Sequence, residues 1–106
     1  MLIENNKYSE GDIASFKLLN GDEVVAKIIE DSGLEYKLER PCTVVPSQKG
    51  IMLIASLFTA EPDMTVRISK SHVILHAPTA KEVCNHYIQI TTGIQTVPAG
   101  SIVTGL

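Results

Sequence analysis

The sequence predicts a small, mainly β domain, built on a strongly bent sheet with a single helix late in the chain. Three observations carry this expectation: an Asn20-Gly21 turn between two β-rich runs, a strictly alternating stretch from Leu34 to Glu39, and one capped segment of helical period after Pro78. A chain of 106 residues fits one domain, 1–106, and leaves no room for two independent cores. Folding at this length removes roughly 60–70% of the unfolded chain's surface from water, so disulfide or metal staples are not required. Aromatic residues make up 5% of the chain and Trp is absent, so aliphatic side chains must fill the core.

Taken in order, Met1 to Gly11 is polar and Asn-rich, and reads as a loosely held lead-in or a short helix. Ile13 to Leu19 carries a partial period of two. Asn20-Gly21 follows, a dipeptide that tolerates the positive φ of a type I′ hairpin turn. Glu23 to Ile29 is rich in β-branched residues and has no helix cap, so the two segments pair. Asp31-Ser32-Gly33 is the next turn. Leu34, Tyr36 and Leu38 then share one face, with Glu35, Lys37 and Glu39 on the other, the pattern of a half-buried strand. Pro41 belongs at an edge or a bulge, and Cys42 to Val45 continues the bent strand beyond it.

Pro46 to Gly50 is a loop, and the apolar run Ile51 to Phe58 predicts a buried strand. Met64 to Ile68 and Val73 to Leu75 are two short strands around the polar tetrad Ser69-Lys70-Ser71-His72. The barrel thus occupies about 12–77. A helix over 79–90 opens on the capping box Thr79-Ala80-Lys81-Glu82. Its apolar face carries Ala80, Val83, Cys84, Tyr87 and Ile88. Residues 91–106 form a tail without charge from Ile94 on, which is open to disorder, to adding a strand or to docking on a partner, with disorder or loose docking the leading expectation.

The formal net charge of −3 excludes a protein that coats duplex phosphate with its whole surface. The charge is uneven. Up to Glu39, nine acids face four lysines; from Arg40 to Lys81 five basic residues face Glu61 and Asp63, which permits a local basic surface. Cys42 and Cys84 form no CxxC pattern and read as small buried hydrophobes. The first twelve residues lack the apolar run of a signal peptide, and no stretch reaches the ~18 apolar residues of a membrane span, so the expected location is cytoplasmic.

Candidate chemistry is sparse. His72 and His76 are four apart, but β-branched residues between them favour a strand, which separates them by ~13 Å, too far for one metal ion. His86 lacks a spaced partner on its helix and reads as a surface residue. No serine sits in a GxSxG elbow, and glycine is never clustered into a phosphate-cradling loop. Glu61 and Asp63 around Pro62 read as a solvated turn. Neither catalytic residues, a metal site nor a cofactor is expected, and the chain is not expected to be an enzyme.

Two polar turns remain, and they carry a resemblance. Phe16 and Leu18 before Asn20-Gly21, then Val24-Val25-Ala26-Lys27-Ile28, then Asp31 with Leu34 and Leu38, resemble the first motif of the Sm-like (LSm) proteins. Ile68-Ser69-Lys70-Ser71-His72-Val73-Ile74 resembles the second. The match runs from about Ile13 to His76. Ala26 stands where the family usually has Gly, and Asp31 lies one place early relative to it. The family's base-reading Asn falls at Glu35 and its stacking residue at Leu34, while the second-motif Arg-Gly falls at Ser69-Lys70 and its polar Asn at His72. A helix after the barrel, rather than before it, is similar to the divergent Sm-like proteins of tailed bacteriophages, which implies a host-cytoplasmic setting.

The resemblance implies a strongly bent five-stranded Sm-like or SH3-like barrel that assembles side by side into a cyclic homo-oligomer. It implies binding of single-stranded RNA, with DNA as the lesser partner, through Leu34, Glu35, Tyr36, Ser69, Lys70, Ser71 and His72. Lys70 and His72 would supply charge and hydrogen bonds; Tyr36 could stack on a base, although its alternation with Leu34 and Leu38 favours a place in the core. The rival expectation is a protein-interaction or structural ring that kept the barrel and lost the nucleic-acid site. A third is an unrelated monomeric barrel.

Overall fold

In the computed structural model, the described residues are 8–61 and 64–93. They form six antiparallel strands and one α-helix: β1 (Ile13–Leu18), β2 (Glu23–Asp31), β3 (Glu35–Ser47), β4 (Gly50–Ala55), β5 (Thr65–Ser69), β6 (Val73–Pro78) and α1 (Lys81–Thr92). The order across the sheet is β4-β3-β2-β1-β6, with β5 also on β3. The count is six rather than five for a local reason. β4 pairs with the second half of β3 and β5 with the first half, so the two lie end to end along one edge of β3, separated by residues 56–64.

The β1–β2 hairpin forms where Asn20-Gly21 places it, but not through a type I′ turn. Gly21 has φ +94°, whereas Asn20 keeps a negative φ. Instead the Asn20 side-chain oxygen accepts the Asp22 N–H at 2.9 Å, and Leu18 N–H donates to Asp22 C=O at 2.8 Å. The longer loop accommodates both bonds, which a two-residue turn would not.

β2 is buried on both faces, which is why its sequence reads as a nearly continuous apolar run. Ala26 and Ile28 enter one core with Ala14, Phe16, Tyr36 and Leu38, inside the curl of the sheet. Val25 enters a second core with Cys42 and Tyr87, where α1 covers the opposite face. Both cysteines are free thiols: Cys42 is buried and Cys84 half-buried.

The bend of β3 sits at Arg40-Pro41. Between the register pairs Val25↔Cys42 and Lys27↔Glu39, β2 spends one residue and β3 spends two, so Arg40 and Pro41 form a bulge. Arg40 takes φ +52°, a left-handed conformation that costs a non-glycine residue roughly 1–2 kcal/mol. Pro41 offers no N–H there, which is the position in which a strand tolerates it. The helix repairs the ladder at this point. The Tyr87 hydroxyl accepts the Lys27 N–H at 3.1 Å and donates to the Glu39 carbonyl at 2.7 Å, standing between two residues that face each other across β2 and β3.

Three expectations need correction. Thr79 does not cap α1: the N-cap is Ala80, which makes no side-chain cap bond, because the Thr79 hydroxyl is bonded to Ser15 at 2.8 Å and its N–H to Ile13 C=O. The helix accordingly runs later than 79–90 and takes in Thr91 and Thr92, ending on the left-handed Gly93. The apolar run from Ile51 stops being a strand at Ala55, and Leu57 and Phe58 stand exposed beyond it. Among the described residues β4 pairs with β3 alone, and its side chains are half-buried from Ile51 to Leu53 and exposed at Ile54 and Ala55. His86 is also half-buried, and burial lowers its pKa from the usual value. The short-helix or lead-in reading of the first residues lies outside the described residues up to Lys7, as does the tail from Ile94. Among the described residues no helix is long and apolar enough to cross a membrane.

Candidate nucleic-acid interface

The two polar turns meet. β3 and β5 pair in the register Glu35↔Ser69 and Tyr36↔Ile68, which sets the 32–34 loop beside the 3-10 turn Lys70–His72. Lys70 N–H donates to Leu34 C=O at 2.9 Å and ties the loops directly. Each is also locally closed. Ser32 Oγ donates to Glu35 C=O at 2.9 Å, and Ser69 Oγ accepts the Ser71 N–H at 3.3 Å as the N-cap of the 3-10 turn. Leu19 N–H donates to His72 C=O at 2.9 Å, bringing in the β1–β2 turn as a third wall. The conformations follow from short Ser side chains that satisfy nearby backbone groups, as such residues do in turns.

The side chains divide into two sets. Leu34 is 84% exposed, and Ser69, Ser71 and His72 are exposed beside it. Tyr36 is instead a core residue, 4% exposed, with its ring centroid 4.9 Å from that of Phe16. It offers no free face to a base. Glu35 is half-buried and lies 3.6 Å from the Arg67 guanidinium, a partner sequence reasoning did not supply.

Lys70 is the residue whose role changes most. Its ammonium pairs with Asp31, whose side chain is 2% exposed, and sits 4.7 Å from the centre of the Tyr36 ring. The second Asp31 oxygen accepts the Tyr8 N–H at 2.8 Å. Lys70 is therefore the counter-ion of a buried carboxylate, held by charge pairing and by the negative face of an aromatic ring. Burial raises the Tyr36 pKa, and the Asp31 charge adds to it; Tyr8 is raised by burial first, then by Tyr36 and Asp31.

Tyr8 completes this buttress. Its ring packs edge-on to Tyr36 and His76, and its hydroxyl lies 2.8 Å from His76 Nδ1. Tyr8 was not legible as a site residue, being a lone aromatic in a polar stretch; Asp31 was legible as a turn and motif residue but not as the partner of Lys70 and Tyr8. Among the described residues no cluster of three or more His, Cys, Asp or Glu side chains could hold a metal ion.

The arrangement presents an exposed aliphatic tip, one imidazole, three hydroxyls and turn backbone on a surface whose nearest ammonium is already neutralised. Such a surface can stack against and hydrogen-bond a flat polar group, with little long-range charge attraction. Compared with known proteins, the chain matches no protein-family model and no curated sequence.

Proposed function

We propose that this chain is a divergent Sm-like protein that assembles into a ring and binds single-stranded nucleic acid, RNA in preference to DNA, at the collar of its 32–34 loops and 3-10 turns. The observation that carries the reading is the position of that turn. It joins β5 to β6, and among the described residues each of these strands has a ladder partner on one side only. β6 is an apolar edge: Ile74 and Leu75 are 54% and 65% exposed. An unpaired apolar edge is costly and templates strand addition. Pairing the β6 edge of one copy with the β5 edge of the next is head-to-tail, and closes into a ring if the rotation allows. The turn between the edges then recurs around the axis, and weak contacts with one strand add through effective concentration.

Within the collar, Leu34 packs on a base and His72, Ser71 and backbone groups supply hydrogen bonds, consistent with single-strand recognition by stacking and polar contacts. Lys70 positions the turn rather than clamping phosphate. That same observation favours a second reading, in which the ring binds protein: the Asp31–Lys70 and Glu35–Arg67 pairs leave the collar little net positive charge. Filter binding of homopolymer RNA across a salt series separates the two. The first reading expects binding at low salt that Leu34→Ala and His72→Ala weaken with the subunit number unchanged. An intact ring that retains no homopolymer at low salt selects the second.

A further inference from the structure

A second concave surface lies far along β3 from the collar. A mainly apolar groove of about 450 Å³, with Arg40 and Glu61 also in its lining, is bounded by the β3 bulge, the end of β4, the start of β5 and the last turn of α1. Leu53, Leu57, Phe58, Met64, Val66 and Ile90 supply its apolar lining. Phe58 is 79% exposed and Met64 58%. Side chains of that size left in water lose roughly 1.5–3 kcal/mol each relative to burial, so the groove is built to be covered. Its volume lies within the range that accepts a few side chains or one small ligand.

We propose that the occupant is this chain's own C-terminal segment, residues 94–106. Three observations favour it over a foreign partner. Thr91 and Ile90 line the groove, and the segment starts only three residues after Thr91. Gly93 has φ +79°, the left-handed conformation that ends the helix two residues after Thr91. The segment also matches the groove in chemistry. It carries no charged side chain and five large aliphatic ones, Ile94, Val97, Ile102, Val103 and Leu106. Thirteen residues span up to about 45 Å when extended, so reach is not limiting. Docking within one chain has only a short loop to close, which costs less entropy than recruiting a second molecule. The proposal concerns a surface separate from the collar and holds whether or not the chain forms a ring.

The absence of native Trp makes the test direct. Val97→Trp and Val103→Trp are made singly in the full-length chain, each as the sole tryptophan and excited at wavelengths where the three tyrosines do not absorb. The expected result is blue-shifted emission and several-fold weaker acrylamide quenching than free tryptophanamide in at least one of them. Adding Phe58→Asp and Met64→Asp, both at exposed positions and so compatible with folding, reverses the shift. The signal stays constant on dilution. Solvent-like emission from both reporters overturns the proposal, as does a blue shift that the groove variants leave in place. A shift that disappears on dilution also overturns it, because a second copy's segment would then be the occupant.

Discussion

Replacing Tyr87 by Phe removes one oxygen and leaves the ring, so it isolates the bond that joins helix to sheet. The side chain is buried at 3% exposure, and its hydroxyl is the partner of both the Lys27 N–H and the Glu39 carbonyl. A buried donor or acceptor left without a partner costs about 1–3 kcal/mol. Two such groups set an upper bound near 6 kcal/mol, but Lys27 and Glu39 already face each other across the ladder and can close part of the gap. The expected loss is therefore about 2 kcal/mol. For a domain of about 100 residues this lowers Tm by roughly 10 °C, since each kcal/mol shifts it by about 4–8 °C. Urea unfolding followed by circular dichroism, at one fixed protein concentration, gives the value through a shift in midpoint with an unchanged slope. Hydrogen exchange at the Lys27 amide should accelerate in parallel. A midpoint change worth less than about 0.5 kcal/mol, with Lys27 still protected, would refute the idea that the hydroxyl substitutes for a ladder bond.

Three further outcomes are expected. Lys70→Met should destabilise by about 1–3 kcal/mol by leaving the Asp31 carboxylate without its ammonium, and Asp31→Asn should recover part of the loss, giving a coupling above about 1 kcal/mol in a double-mutant cycle. Cys42, whose thiol burial pushes up to about 11, should resist iodoacetamide in the native state at pH 8. Its thiolate fraction there is about a hundredfold below that of a thiol at the usual value of 9.0, while the less buried Cys84 should react first. His86 should contribute acid sensitivity. Its folded pKa lies below 6.5, so as pH falls through that value the unfolded chain takes up a proton that the folded chain does not, and stability declines until the folded group also titrates. His86→Gln should flatten that part of the stability–pH curve, read by thermal unfolding at several pH values.

The fold was largely legible because β structure here is written in local signals. The Asn20-Gly21 turn, the alternation ending in Tyr36 and Leu38, and Pro41 as the mark of a bend all place elements where they occur. What was not legible depends on contacts distant in sequence. Thr79 has every feature of a cap, yet Ser15, 64 positions away, takes its hydroxyl. Ile51 to Phe58 is apolar but for Ser56, yet the strand stops at Ala55 and Phe58 is exposed; among the described residues β4 pairs with β3 alone, which the local pattern does not reveal.

The candidate site divides along the same line. That the 32–34 loop and the Ser69–His72 turn adjoin was anticipated by resemblance, and the β3–β5 register brings them together. Which side chains are free was not. Leu34 and Tyr36 share a parity in the sequence, but Leu34 precedes the strand and faces solvent while Tyr36 lies in the core. Lys70 looks like a solvent-facing cation until Asp31 is found beneath it, a pairing of 39 positions that no local pattern encodes.

In the proposed ring, the exposed edges of β5 and β6 are satisfied by neighbouring copies, which gathers the turns between them into one collar. Native mass spectrometry of the full-length chain tests it most directly. One dominant closed assembly of several subunits is expected, dispersed into single chains by Leu75→Lys on the β6 edge. A single-chain mass at high micromolar concentration, or an assembly indifferent to Leu75→Lys, contradicts it.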